Sequence, residues 1–337
     1  MVDLKHRYGW IDWAKTFGIF LVILGHIDYT PAPVKSWLYS FHMPLFFLLS
    51  GLLFKPRRTK DLIQHDLKRL LYPYVIYNVA LFIIYSILHI ADNSFSIVFL
   101  KKSILAILLG MGYSTSWAIP LCDSMWFIIG LFIIHVAVTI IGISNKQRIA
   151  LFTIVSIVII CALNNSGIRT IIPLDSAIIA TPFFLCGYYL KELILKSDHN
   201  KISLSLISIL SLLAFSVLQN YNGMVDIDMC LWGKSLLLTY FVAILGCLWT
   251  ITTFKLLFDF NNKVTQIVSE GTIFIIGFNQ LFISICKIIA SKVGFLPPPP
   301  PIVESLIIGV VVLLISIACI IVLKNKYPQA LGINNGK

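Results

Sequence analysis

The sequence predicts an all-α fold, a polytopic integral membrane helix bundle of about ten transmembrane helices, on three observations. Hydrophobic residues fill 58% of the 337 positions and charged residues only 12%, with a mean hydropathy of +0.91, a composition far outside that of soluble globular proteins. The apolar residues gather in stretches close to the ~20 that a hydrocarbon core ~30 Å thick requires. Lysine and arginine are concentrated on alternate connections between those stretches, 18 on one side against seven on the other.

Taken in order, the expected spans cover 10–28, 37–54, 70–90, 122–143, 148–164, 173–190, 202–219, 234–254, 271–290 and 302–323. The sixth holds Asp175 and Pro182 and is the least regular. An even number of spans puts both termini on one side, and that side collects 18 of the 26 basic residues, among them Lys5, Arg7, Lys55, Arg57, Arg58, Lys68 and Arg69. The positive-inside rule then makes the termini cytoplasmic. The net charge of +11 is mostly this topological signal, and no nucleic-acid partner is expected from it. The N-terminal apolar run is broken by Asp12 and Lys15 and lacks a small-residue cleavage site, so it is expected to stay in the protein as a span. Residues 1–326 read as one transmembrane domain and 327–337 as a short cytoplasmic tail. The seven cysteines are scattered without C-x-x-C spacing and read as small buried hydrophobes, with no metal site expected.

The first span and the entry to the second carry the polar residues that stand out. The chain reads RYGWIDWAKTFGIFLVILGH from Arg7, then FHMPLFFLLSG from Phe41. An ionisable group in hydrocarbon costs about 2.5–3.5 kcal/mol on insertion scales, so it faces a bundle interior and marks a site. Lys15 and His26 are eleven residues apart, close to three helical turns, which places them on one face roughly 16 Å apart along the axis. Asp12 and Lys15 are neighbours on that face at i and i+3. If the second span returns antiparallel after a short turn, His42 enters the membrane where His26 leaves it. A structural reading makes Lys15 the salt-bridged partner of Asp12 and the histidines satisfied core groups.

Elsewhere the polar signals have two readings each. KPRRTKDLIQHDLKRLL, 55–71, is either positive-inside charge on an interfacial helix or a docking site for a phosphorylated ligand through Arg57, Arg58, Lys68 and Arg69. The long connection 91–121 contains a semi-apolar stretch expected as an interfacial or re-entrant helix. Trp117, Asp123, Trp126 and nearby hydroxyls suit a sugar-binding rim, and an ordinary aromatic belt explains the tryptophans equally. Loop 220–232 reads as solvated, with Asp226 and Asp228 able to touch a polar acceptor. Asn279 and Gln280 lie in apolar surroundings, as interhelical glue or as substrate contacts. Pro297–Pro301 reads as a stiff polyproline spacer. His135 and Glu304 are isolated and receive no chemical role.

Asp12, Lys15, Gly25, His26, Phe41, His42, Pro44, Phe46, Ser50 and Gly51, supported by Arg69, Pro73, Trp126-Phe127 and Pro182-Phe183-Phe184, make the chain resemble the acyltransferase-three family of integral membrane O-acyltransferases, in its fucose 4-O-acetylase-like branch. The likeness extends over essentially the whole chain in the number and order of spans. It implies transfer of an acetyl group from acetyl-CoA, a co-substrate, to a sugar hydroxyl of a surface or secreted polysaccharide in a bacterial cytoplasmic membrane. His26 is then the general base or an acyl relay, and His42 orients it, shares its proton or serves as the alternative base. The coenzyme's charged end is expected on Lys15, Arg57, Arg58, Lys68 and Arg69, and the glycan acceptor near Trp117, Asp123, Trp126, Asn279 and Gln280. Some relatives have a histidine where this chain reads GFNQ. A transporter or flippase without chemistry is the alternative, and the concentration of polar residues in the first two spans argues for a single catalytic site instead.

Overall fold

A computed structural model describes residues 7–110, 123–170, 172–196, 200–293 and 301–333. Fifteen α-helices are described: α1 Gly9–His26, α2 Ala32–Tyr39, α3 His42–Leu53, α4 Thr59–Asp66, α5 Tyr72–Ala91, α6 Ile97–Leu109, α7 Trp126–Ile141 and α8 Lys146–Asn165. They continue as α9 Leu174–Tyr189, α10 Lys191–Leu195, α11 Lys201–Asn222, α12 Leu236–Leu257, α13 Lys263–Glu270, α14 Thr272–Val293 and α15 Pro301–Lys326. A π-helical turn, Leu67–Leu71, joins α4 to α5, and two 3-10 turns lie at Asp123–Met125 and Pro328–Leu331. The described strands, β1 Val225–Asp226 and β2 Leu231–Trp232, form one two-residue antiparallel hairpin.

Among the described residues seven helical runs are long and apolar enough to cross a membrane: Ala32–Leu53, Thr59–Ala91, Lys146–Asn165, Lys201–Asn222, Leu236–Leu257, Thr272–Lys292 and Pro301–Lys326. The other three expected spans are helical too, as α1, α7 and α9, at 18, 16 and 16 residues. Many of the large hydrophobics on these helices are exposed, Leu237, Ile202 and Val217 among them, as a lipid solvent permits.

The chain divides into two compact units. The first comprises Met1–Lys55, Ala180–Thr272 and Leu281–Ala318. In it α1 packs against α2, α3, α12 and α13, while α11 lies along α12. Trp10, Ile11 and Ala14 near the start of α1 cluster with Leu48, Leu49 and Leu52 near the end of α3, and Gly18 meets Phe46 midway. The two helices therefore run antiparallel. Small residues set the closest approach, as expected where lipid provides no hydrophobic drive between helices. A Cβ on Gly51 would lie 1.9 Å from the Phe184 carbonyl oxygen, and one on Gly187 1.9 Å from that of Leu48. Trp37, Phe41, Phe215 and Trp249 pack edge to face around the approach to α3, with ring centroids 5.1–5.8 Å apart.

Loop 220–232, expected to be solvated, is an ordered hairpin with Val225, Ile227, Asp228 and Cys230 buried. Asn222 organises it. Its Oδ1 accepts the Lys234 amide at 3.2 Å and its Nδ2 donates to the Thr239 hydroxyl at 3.0 Å, which itself donates to the Trp232 carbonyl at 2.9 Å. Local composition could not show this, because Asn222 and Thr239 stand on different helices.

The second unit comprises Pro56–Ile179, Ile273–Gln280 and Cys319–Lys337. Its basic segment is helical, as the sequence suggests, and continues into the third span as one run of 33 residues, Thr59–Ala91. Pro73 lacks an N–H, so the Arg69 carbonyl loses its i+4 donor, and the backbone widens into the π turn, where Tyr72 N–H bonds Leu67 O. The semi-apolar stretch after residue 91 contains α6, opened by the Ser96 hydroxyl, which accepts the Phe99 amide at 3.1 Å, and closed by Gly110 in the left-handed region at φ +68°. The expected tail begins with a docked turn: Ala330 and Leu331 are buried and the Tyr77 hydroxyl donates to the Ala330 carbonyl. Most of the polyproline run and Trp117 lie outside the described residues, and Pro301 opens α15.

Candidate active site

The first unit brings His26 and His42 to the same end of the antiparallel pair α1 and α3. His26 is the last residue of α1 and His42 the first of α3. The two rings are near enough for each to feel the other's charge. His42 is 4% exposed and its Nδ1 lies 2.7 Å from the Leu38 carbonyl oxygen. A carbonyl only accepts, so the proton sits on Nδ1, and the lone pair of the neutral ring is on Nε2. Tyr39 supports this arrangement. Its ring meets the His42 ring edge-on at 5.0 Å and lies over Gly25, where an added Cβ would be 2.9 Å from Cε2. The glycine before His26 thus makes room for the tyrosine before His42.

At the far end of α1, Asp12 sits in the first turn, buried, where a carboxylate suits the helix dipole. Its Oδ2 accepts from Arg7 Nε at 2.6 Å, and Arg7 Nη1 also donates to Glu270 Oε1 at 3.0 Å. These bonds outweigh the cost of partial burial and hold the Arg7 guanidinium above its ordinary pKa. Lys15 follows one turn later, half-buried. Arg7, which the sequence marks only as a topological charge, is thus a partner of Asp12.

The remaining candidates belong to the second unit. Arg57, Arg58, Lys68 and Arg69 are exposed, and none has an ion-pair partner among the described residues. Trp126 opens α7 and is 6% exposed, packed against Phe127. Asp123 begins the 3-10 turn before it. Asn279 is completely buried, and neither its Oδ1 nor its Nδ2 has a hydrogen-bond partner among the described residues; Gln280 is half-buried.

Two clusters were not foreseen. Asp66, 1% exposed, accepts from His65 Nδ1 at Oδ1 and from His135 Nδ1 at Oδ2, both at 2.8 Å. The His65-Asp66 dipeptide was visible, but its pairing with a residue 69 positions away was not. Beside His26, Asp28 is hydrogen-bonded to Lys287, whose Nζ also lies 5.4 Å from the Tyr29 ring centroid. Among the described residues no group of three or more His, Cys, Asp or Glu side chains is placed so that it could hold a metal ion.

A family model described as an acyltransferase domain matches residues 8–321. The chain belongs to the acyltransferase-three family. The match takes in both units, from the first helix to the body of α15, so this acyltransferase-three protein is a membrane acyltransferase and the histidine pair on α1 and α3 is a group to test for acyl transfer. No curated protein and no solved structure matches the chain.

Proposed function

We propose that this protein is an O-acetyltransferase of the bacterial cytoplasmic membrane, with ten spans and cytoplasmic termini, in which α1, α7 and α9 complete the seven longer crossings. It moves an acetyl group from acetyl-CoA to a sugar hydroxyl of a surface or secreted polysaccharide or its lipid-linked precursor, as in the fucose 4-O-acetylase-like branch. The observation that carries this reading is the histidine pair: two imidazoles at one end of α1 and α3, one of them held in the Nδ1–H tautomer by Leu38. The acceptor O–H gives its proton to the His26 imidazole as its oxygen attacks the thioester carbonyl. The C–S bond then breaks, and the coenzyme leaves as a thiolate that takes a proton back from the imidazolium. Imidazole suits this task because its ordinary pKa, about 6.5, lies near working pH. A relay through acetyl-His26 uses the same atoms in two steps.

Lys15, one turn from Asp12 at the opposite end of α1, and the exposed cations Arg57, Arg58, Lys68 and Arg69 are the candidates for the coenzyme's phosphates, by charge-assisted hydrogen bonds. Asp123, Trp126, Asn279 and Gln280, with Trp117, are the acceptor candidates. The test is acetylation of cell-surface glycan, read by mass spectrometry, in cells making His26→Ala at wild-type protein levels. Loss of the acetyl substituent is expected, and its retention ends the assignment.

A further inference from the structure

We propose that Asp28 is a positioning residue for His26: a carboxylate fixed beside the imidazole by the turn after α1 and by Lys287, where it favours the protonated ring that forms during transfer. The inference rests on His26 as the base and adds a residue that neither the family match nor the motif supplies.

The turn is rigid. Ile27 is fully buried and its N–H bonds the Leu24 carbonyl. Thr30, 3% exposed, gives its N–H to Ile27 O at 3.1 Å and its hydroxyl to Leu24 O at 2.7 Å. Residue 28 is therefore held between two anchored positions, two residues beyond His26. Its side chain is 75% exposed and would wander in solvent were it not bonded to Lys287 of α14. Lys287 is held in turn, over the Tyr29 ring. The charged groups facing Asp28 are Lys287 from α14, Lys35 from α2 and His26 from α1, and the group facing His26 from α3 is His42.

This is the geometry in which a base gains from a carboxylate. A proton arriving on His26 creates a cation next to an anion already in place, so little rearrangement accompanies the transfer. His42 has no comparable carboxylate: its described polar contact is the Leu38 carbonyl, which selects a tautomer without adding charge. The two histidines thus differ. Asp28 makes His26 the more basic, and His42 is suited to orient.

The test separates this claim from the one it rests on. The full-length protein, labelled with carbon-13 at histidine and held in nanodiscs, is titrated by NMR, with His26 assigned by the signal lost in His26→Ala. Asp28→Asn lowers the His26 midpoint by about half a pH unit, as expected for loss of a charge several ångströms away near solvent. Asp28→Glu restores it, and the low-pH limb of coenzyme release from acetyl-CoA moves with the midpoint. Asp28→Ser replaces Asp28→Asn should the latter not fold. A midpoint that stays put when the charge is removed overturns the proposal, whether or not His26 is the base. Full acetyl transfer by His26→Ala removes the base assignment while leaving the titration to report on Asp28.

Discussion

At the scale of residues, the site depends on which atom of each side chain is already engaged. His42 uses Nδ1 on Leu38, so His42→Ala removes both an oriented ring and the packing surface of Tyr39. A loss of about 10²-fold in transfer is expected from the lost orientation of the His26 site, measured as coenzyme release with protein folding checked separately. Gly25→Ala tests the same arrangement from the other side. The new methyl pushes Tyr39 off its seat over the glycine, so activity falls while thermal unfolding shifts little, because the displaced atoms are the end of a side chain. Asn279 poses the opposite case. A buried amide with no partner costs about 1–3 kcal/mol. Asn279→Leu is accordingly expected to raise the unfolding temperature and to lower transfer, the combination that marks a functional group rather than interhelical glue. The Asp28–Lys287 pair has a pH signature. Lys287 holds the Asp28 carboxyl below its ordinary value of 3.8, so the contribution to stability is complete above that value and fades as acid titrates through the lower one. The unfolding temperatures of the parent and Asp28→Asn should converge at low pH and differ slightly at neutral pH.

At the scale of elements, the contacts between helices are set by glycine rather than by bulk. Gly51 and Gly187 meet carbonyl oxygens of the facing helix, Phe184 O and Leu48 O, at distances no Cβ can occupy. Gly51→Val and Gly187→Val must push α3 and α9 apart. The expected result is loss of folded protein after detergent extraction, in contrast to Gly142→Val, where nothing lies within 4 Å and only the backbone at φ +89° is strained. The π turn of Leu67–Leu71 has a comparably local cause in Pro73, and it offsets Lys68 and Arg69 from the register an unbroken helix would give them. Ionic clamps fasten other ends: Lys191 Nζ donates to the Phe54 carbonyl at 3.3 Å, and Lys255 Nζ to those of Ile194 and Lys196 at 2.6 and 3.0 Å. These lysines serve topology and helix capping at once. Burial and the neighbouring Lys55 hold Lys191 below its ordinary pKa.

At the scale of the whole molecule, the uneven distribution of Lys and Arg sets a testable orientation. A fluorescent protein fused after Lys337 is expected to fluoresce and an alkaline phosphatase fused there to stay inactive, since the proposed ten spans would gather 18 of the 26 cations on the side of the termini. The reverse pattern would invert the chain, and the acetyl-CoA side of the proposal with it.

The sequence alone determined the all-helical class, the family and the placement of a histidine pair, because each depends on local spacing: apolar stretches as long as a bilayer is thick, and eleven residues between Lys15 and His26. Neighbouring residues were also legible, such as Asp12 in a first helical turn. Partners across the chain were not. Arg7 with Glu270, Asp28 with Lys287, Asp66 with His135 and Asn222 with Thr239 are joined only when helices pack. An apolar run carries almost no information about which of its faces meets which neighbour, since lipid and a packed helix are nearly equivalent surroundings for leucine and isoleucine. Only the tertiary structure decided which polar groups would share a buried space, and that choice separates a charge spent on holding the bundle from one left for chemistry.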